Sequence, residues 1–478
     1  MALPDLIEIV PLTAPVRAEI TVPGSKSITN RALILAALTD GETILRGALW
    51  SEDTQIMVDC LQELGFMVNV EPDPDEPCNR TITVYGNGGF VPPGGTESQP
   101  LELFVGNAGT AARFLAAFVC LGKGVYHLSG VPRMHERPQA ALFQALRELG
   151  YHVESEDGND KLPVKIVGGS GFSVQGSERR CKVSIEESSQ FTSALLLCAK
   201  QGGWEIEIVG ENAEESPYVE MTRRMLEVFP NGGEFQIEPD ASSGSYFWGA
   251  NYFLPNWKAP RTFSEKALAI EPAILLQPAR VAHWPRSGWQ IDQRFPKALF
   301  LYAVPPPMMP RPLQAVSKDS IVFPYHSPTR EVSRASDLGD SIMTAIVVAP
   351  FDDRVSKFTG LGRMRLQECE RVVALRTELT KCGAKVVEEG DTLTVYPSQL
   401  HGAEIETYND HRMAMCFAVL GLKVPGIKIK NPSCVKKTFP NFFQKFAAPP
   451  PHGLGAEIWE IKDGKRTRKL SGQDLFAD

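Results

Sequence analysis
One local pattern recurs along this chain and limits its fold more than any other feature: a short turn of small polar residues that opens directly into an apolar helical stripe. Such starts stand at Gly24-Ser25-Lys26-Ser27, Gly106-Asn107-Ala108-Gly109-Thr110 and Glu187-Ser188-Ser189-Gln190. Behind them Ile28, Ala32 and Leu35, then Ala111, Leu115 and Phe118, then Phe191, Leu195 and Cys198 keep one i, i+4, i+7 spacing, which predicts amphipathic helices. The starts lie roughly eighty residues apart, too far for a solenoid repeat and suited to a repeated α/β subdomain. A second helix is predicted in each repeat. Gly65 and Gly150 can take the left-handed C-cap after Leu64 and Leu149, and Met221, Met225 and Val228 occupy the equivalent place in the third. Short alternating segments such as Thr81 to Tyr85 and Glu205 to Val209 predict strands between the helices.

The second half repeats the arrangement with aspartate as the opener. Asp240 precedes 241–248, Asp340 precedes 341–348, and Asp410 precedes 411–420, where Met413, Phe417 and Leu420 share a face. Aspartate caps free N–H groups and complements the positive end of a helix dipole. The interval from Asp240 to Asp340 is the longer of the two, which predicts an insertion. It holds Pro305-Pro306-Pro307-Met308-Met309-Pro310-Arg311-Pro312 and the aromatic stretch from Trp248 to Trp257, neither with a helix or strand period. Residues 251–286 and 298–333 are therefore predicted to be largely irregular. Pro449-Pro450-Pro451 likewise begins a charged C-terminal tail that the core is predicted not to need.

At 478 residues the chain exceeds one ordinary core and predicts two domains. Hydrophobic content of 43% and charged content of 22% are those of a soluble globular protein. The net charge of -8 argues against a general nucleic-acid binder, so an anionic ligand must be met by a local cluster of cations. Nine scattered cysteines form no Cys-x-x-Cys pair and no His/Cys grouping, which indicates neither a disulfide framework nor a metal site. With no long apolar run and no N-terminal signal-type run, no membrane association is expected and the cytoplasm is the expected location. The sharpest candidate for an anion site is Val22 to Arg31. Pro23-Gly24 ends an extended segment, Ser25 is a good N-cap, and backbone N–H groups would face whatever Lys26, Ser27 and Arg31 hold. Taken alone, a capped surface helix with incidental basic residues explains this decapeptide equally well.

Six blocks in order strengthen the functional reading: Pro23-Gly24-Ser25-Lys26-Ser27 with Asn30-Arg31; Gly106 to Thr110; Pro132-Arg133-Met134 with Glu136-Arg137-Pro138; Ser188-Ser189-Gln190-Phe191; Tyr408 to Met415; and Lys437-Thr438-Phe439-Pro440. Together they resemble the 5-enolpyruvylshikimate-3-phosphate synthase family over roughly residues 8 to 248 and 336 to 446. The resemblance implies an α/β, two-domain enolpyruvyl-transferase fold, each domain made of three repeated α/β units whose helix N-termini face an interdomain cleft. It places the first domain at 22–239 and the second at 1–21 plus 240–447 with an irregular insert about 251–333, leaving 448–478 as a tail. The implied reaction moves the enolpyruvyl group of phosphoenolpyruvate to the 5-hydroxyl of shikimate 3-phosphate by addition and elimination, on the route to chorismate and the aromatic amino acids. No metal or organic cofactor is implied, the partners are those two small molecules, and a monomer is expected.

Motif by motif, Lys26, Ser27 and Arg31 resemble contacts to shikimate 3-phosphate, with Lys26 also reaching phosphoenolpyruvate. Ser188, Ser189, Gln190 and Ser216 resemble further contacts to the first ligand; ordinary capping is the plain alternative for the serines. Asn107, Gly109, Thr110, Gln190 and Arg133 resemble the phosphoenolpyruvate side, where a side chain at Gly109 would crowd the ligand. Asp340 matches the aspartate that faces the shikimate hydroxyls and takes the proton, and Glu368 the glutamate that moves a proton to or from the methyl carbon. Arg371, Arg412 and Lys437 would clamp phosphoenolpyruvate with His411 beside it, arginine suiting a carboxylate or phosphate better than lysine.

Two departures stand out. Gln367 replaces the lysine that the family usually carries before the glutamate, which predicts weaker substrate binding unless Arg363 or Arg365 replaces it. Trp289-Gln290-Ile291-Asp292-Gln293-Arg294-Phe295 resembles a family block with glycine at the Ile291 position. Two other functions therefore remain in view. The related transferase of a nucleotide sugar uses a loop cysteine, and none lies between Lys123 and Arg137. A catalytically impaired ligand-binding relative would fit Gln367 and the insert.

Overall fold
Several of the helices behind the polar turns are buried on every side rather than along one stripe, although Ser189–Gly202 keeps a partly open face. In the computed structural model, which describes residues 3–169, 179–210, 216–255, 277–298 and 329–477, the Lys26–Leu38 helix is buried from Ile28 onward, and Gly109–Phe118 and Ala241–Ala250 are buried throughout. Helices apolar all round belong in an interior, and the alanines between the predicted stripe positions, Ala36, Ala37, Ala116 and Ala117 among them, let neighbours approach. The second helices keep a wet face. Glu52–Glu63 buries Met57, Val58 and Leu61, and Ala140–Glu148 buries Leu142, Phe143 and Leu146. Gly65 and Gly150 follow them, both at φ 90°, a conformation that side chains resist.

The backbone divides into an N-terminal unit, Pro23–Asp240 with Pro285–Gln290, and a C-terminal unit of Met1–Val22, Ala241–Trp284 and Ile291–Asp478. Each has its own apolar core. Among the described residues, the N-terminal unit contains a sheet ordered Gly233–Gln236, Asp40–Leu49, Asn79–Asn87, Met67–Pro72 and another ordered Leu101–Phe104, Gly124–Ser129, Val164–Gly168, His152–Ser155. In both, the first pair is parallel and the next two pairs are antiparallel. A parallel pair, Arg179–Ser184 with Trp204–Val209, accompanies them. Parallel neighbours need a crossover, and helices Gly109–Phe118 and Ser189–Gly202 provide two of them.

The C-terminal unit uses the same directions. Thr329–Ser333, Val355–Thr359, Thr392–Val395 and Val386–Glu389 run parallel, antiparallel, antiparallel. So do Glu404–Ile405, Ile427–Lys430, Leu6–Ile9 and Ile458–Lys462, with Lys465–Lys469 added at the edge. Ala279–Val281 pairs in parallel with Ala18–Ile20. None of the described helices is long and apolar enough to cross a membrane.

One expectation, that of a dispensable tail, needs correction. In the stretch expected to be largely irregular, the described residues include the ladder strands Ala279–Val281 and Thr329–Ser333 and the 3-10 turn Asn251–Phe253. The Pro305 to Pro312 run and Trp257 lie outside the described residues. The tail after Pro449 belongs to the core: Ile458–Lys462 pairs with Leu6–Ile9, while Leu454, Ile458, Leu470 and Leu475 are buried. Its charges are the outward positions of a hairpin, where Arg466 donates to Glu8 at 2.8 and 3.0 Å. Burying Ile458 and Leu475 alone is worth about 1.5 to 3 kcal/mol each. Deleting 448–478 should therefore lower the melting temperature by about 10 °C or more, measured by calorimetry. A truncated chain melting with the full one would show the segment to be dispensable.

Candidate active site
In the C-terminal unit, a buried helix start gathers the charged groups. Asp410, the N-cap of His411–Gly421, accepts from the Arg412 backbone N–H at 2.8 Å. It also accepts from Arg371 Nε at 2.7 Å and Nη2 at 3.2 Å. Arg371 opens the Arg371–Lys381 helix with its side chain 1% exposed. The same guanidinium donates to Glu368 Oε2 at 2.8 Å and to Gln367 Oε1 at 2.5 Å, and lies 3.7 Å from Asp340 Oδ2. Lys437 Nζ approaches Glu368 Oε1 at 3.2 Å. Arg412 Nη2 lies 3.1 Å from Asp340 Oδ2 while its Nη1 donates to the Tyr246 hydroxyl at 3.3 Å. Arg334 Nη2 donates to Asp340 Oδ1 at 2.9 Å. His411 is buried with Nδ1 3.9 Å from Asp410 Oδ1. Asp340, Gln367, Glu368, Arg371, His411, Arg412 and Lys437 thus share one neighbourhood.

In that neighbourhood Arg334, Arg371, Arg412 and Lys437 face the carboxylates Asp340, Glu368 and Asp410, with the buried Asp292 behind Ser341 as a fourth. Burial alone would raise the Asp340 pKa, yet Arg412, Arg334 and Arg371 together outweigh it and hold that carboxyl well below the usual range. Burial opposes the charge on Arg371, and Asp410, Glu368 and Asp340 more than restore it. Gln367 acts as a neutral acceptor for Arg371. Arg365 does not substitute for the missing lysine, because it is bound to Glu370, Glu388, Asp391 and the Gly390 carbonyl.

Asp340 is not a helix cap. The Ile342–Val348 helix begins from Ser341. Asp292 Oδ1 accepts from the Ser341 backbone N–H at 3.1 Å and from its hydroxyl at 2.5 Å, and Asp292 Oδ2 accepts from the Ser242 hydroxyl. The block that departs from the family at Ile291 therefore joins two helix starts through one buried carboxylate. Burial raises the Asp292 pKa, opposed by the two serine hydrogen bonds.

In the N-terminal unit, Ser188 caps Ser189–Gly202 by accepting from the Gln190 N–H at 3.2 Å, and Ser189 is buried as its first residue. Gln190 Nε2 donates to Thr110 Oγ1 at 3.2 Å, and its Oε1 accepts from Arg113 Nη1 at 2.7 Å. A Cβ added at Gly109 would meet Arg137 Nη1 at 2.6 Å and Arg113 Nη1 at 2.7 Å, so two guanidiniums lie over this helix start. Arg137 Nη1 also donates to the Asn107 carbonyl at 3.3 Å. Arg133 does not join them. It sits on the short Pro132–Glu136 helix, ion-paired with Glu136, its side chain 48% exposed. Arg113 and Arg137, not singled out from the sequence, are the cations that lie over the Gly109 helix start; Arg137 stands inside the same block as Arg133.

Lys26 Nζ lies 3.0 Å from Asp53, which is buried. Ser25 occupies the N-cap position of Lys26–Leu38 without a side-chain capping bond. Half-buried Ser27 offers its carbonyl to Arg31 Nη1 at 2.8 Å. Arg31 is buried and ties helices together: Nε donates to Thr222 Oγ1 at 2.7 Å, Nη2 to Ser193 Oγ at 3.0 Å, and the guanidinium covers Phe114 at 5.3 Å. Ser216 opens the Ser216–Val228 helix, its side chain outside the described residues.

The sequence matches the family EPSP synthase (3-phosphoshikimate 1-carboxyvinyltransferase) over residues 12–256 and 313–446, breaking within the interval read as an insertion. It is 35% identical over 463 residues to a 3-phosphoshikimate 1-carboxyvinyltransferase of Trichormus variabilis, covering 92% of this chain and 98% of that protein. One from Opitutus terrae is 35% identical over 461 residues, covering 94% and 98%. In fold, the chain is similar to EPSP synthase from Acinetobacter baumannii, with a TM-score of 0.62 at 19% identity over 95% of this chain and all of that one. It is also similar to the enolpyruvyl transferase NikO from Streptomyces tendae, with a TM-score of 0.59 at 13% identity over 96% and 99%. Identity sustained over nearly the full length of both partners, together with a family match across most of the sequence, establishes that this chain belongs to the EPSP synthase (3-phosphoshikimate 1-carboxyvinyltransferase) family.

Proposed function
We propose that this chain transfers the enolpyruvyl group of phosphoenolpyruvate to the 5-hydroxyl of shikimate 3-phosphate and releases phosphate. The observation that supports it most is Arg371, buried and paired at once with Asp340, Glu368 and Asp410 beside Arg412 and Lys437. Such a cluster offers cations to an anionic ligand and carboxylates for proton transfer. In the addition step the hydroxyl oxygen bonds to C2 of phosphoenolpyruvate, its proton passes to Asp340, and Glu368 protonates the methylene carbon. In the elimination step the C2–O bond to phosphate breaks, Glu368 takes a proton back from the methyl group, and the proton held by Asp340 leaves with the departing phosphate. Arg371, Arg412 and Lys437 hold phosphoenolpyruvate with His411 alongside, and Gln367 orients Arg371. Motif matching also assigns Asn107, Gly109, Thr110 and Gln190 to phosphoenolpyruvate, and we give Arg137 the role that it assigned to Arg133. Lys26, Ser27, Ser188, Ser189, Gln190 and Ser216 receive shikimate 3-phosphate. Arg31 enters as the support of that helix start, because its donors are committed within the unit. We place the reaction in the cytoplasm and assign it to a monomer, in keeping with two cores each closed by the one chain.

The test is phosphate release from phosphoenolpyruvate with and without shikimate 3-phosphate. Release that depends on the second substrate is expected; release indifferent to it, or none at all, would sink the proposal. The choice between arginines is open to kinetics. Arg137→Ala should raise KM for phosphoenolpyruvate about tenfold or more, as for loss of a charge-assisted hydrogen bond. Arg133→Ala, which removes only an exposed ion pair, should leave it within about twofold. The reverse order would return the role to Arg133.

A further inference from the structure
We infer that Arg334 is a positioning residue for the proposed enolpyruvyl transfer: it holds one oxygen of Asp340 so that the other is presented to the substrate hydroxyl. The two oxygens have different partners. Oδ1 accepts from Arg334 Nη2 at 2.9 Å, whereas Oδ2 faces Arg412 Nη2 at 3.1 Å and Arg371 Nη1 at 3.7 Å. Arg371 and Arg412 are the arginines assigned to phosphoenolpyruvate. When the anion draws them toward itself, Oδ2 loses its partners and becomes available to accept a proton. Oδ1 keeps its partner, so the carboxylate neither rotates nor becomes a lone buried charge.

Arg334 suits this task. It follows the Thr329–Ser333 strand, its backbone N–H donates to the Thr359 carbonyl at 3.0 Å, and its side chain is 3% exposed. The turn beneath it is fixed by Asp337 Oδ2, which accepts from the Ser333 N–H at 2.8 Å. The charged groups facing Asp340 are Arg334, Arg371 and Arg412, with Asp292 on the acidic side, bound to the adjacent Ser341. A planar guanidinium fixes a carboxylate in a way that a lysine ammonium does not.

The test uses the full chain with both substrates. Arg334→Gln should lower kcat about tenfold or more while KM for phosphoenolpyruvate stays within about threefold, because a misplaced base slows chemistry more than binding. It should also move the acid limb of kcat/KM to higher pH, since a carboxylate with one cation fewer is protonated more readily. A merely structural role would reduce the amount of folded enzyme and leave that limb in place. Arg334→Lys keeps the charge and should hold the limb near its original pH, with turnover between the other two; it also carries the test if the glutamine variant does not fold. Parental turnover in either variant, or lost turnover with an unmoved limb in the glutamine variant, would overturn the inference. A wild-type chain without shikimate 3-phosphate-dependent phosphate release would instead overturn the proposed function on which it rests.

Discussion
Arg371→Ala is expected to destabilise the C-terminal unit by about 3 to 5 kcal/mol, the usual penalty for removing one partner of a buried ion pair. The reason is the number of groups that depend on one guanidinium. Asp410 is fully buried and receives two of its hydrogen bonds, Glu368 and Gln367 receive one each, and Asp340 lies within ion-pair distance. Without it, Asp410 keeps the Arg412 N–H and the weak Cys369 thiol donor, and Glu368 keeps Lys437. Denaturant melts of the variant and parent measure the difference. A variant within about 1 kcal/mol of the parent would mean that the carboxylates find other partners and that Arg371 is not the organising cation. Activity should be lost as well, since the same residue is assigned to phosphoenolpyruvate.

Glu368→Ala should slow turnover by about a hundredfold to ten-thousandfold, the range for loss of a positioned acid–base group. Affinity for phosphoenolpyruvate should hold or improve, because Lys437 and Arg371 lose an anionic competitor. Equilibrium binding of phosphoenolpyruvate in the presence of shikimate 3-phosphate, set beside single-turnover rates, separates the two quantities. A tenfold loss of affinity with unchanged turnover would make Glu368 a binding residue and remove it from the chemistry.

Sequence patterns reveal helix starts in this chain better than they reveal depth. Ser188 and Asp410 cap their helices as their positions suggest. Asp340 resembles them in sequence, yet its carboxylate turns to arginines because Asp292, distant along the chain, takes over at Ser341. The i, i+4, i+7 stripes located the helices but understated their burial, since alanine on the remaining faces carries no periodic signal. The last segment was misjudged for a related reason: the charged strand Lys465–Lys469 hides Leu470 and Ile458 on its inner side. Between Arg133 and Arg137, two arginines of one block, only the outward turn of the Pro132–Glu136 helix discriminates. Most of the C-terminal constellation was legible because its residues, apart from Lys437 at the end of a 3-10 turn, sit at a helix start or shortly before one. Arg334 was not, as it belongs to a turn without a recognisable pattern.

Isotope incorporation during turnover in heavy water tests the central claim most directly. If Glu368 protonates the methylene carbon and later takes a proton from the resulting methyl group, the vinyl group of the product, read by NMR, will carry solvent deuterium. That label should require shikimate 3-phosphate and vanish with turnover in Glu368→Ala. Product formed at full rate with an unlabelled vinyl group would mean that the methyl stage never exists, and would contradict the proton transfers assigned to Glu368.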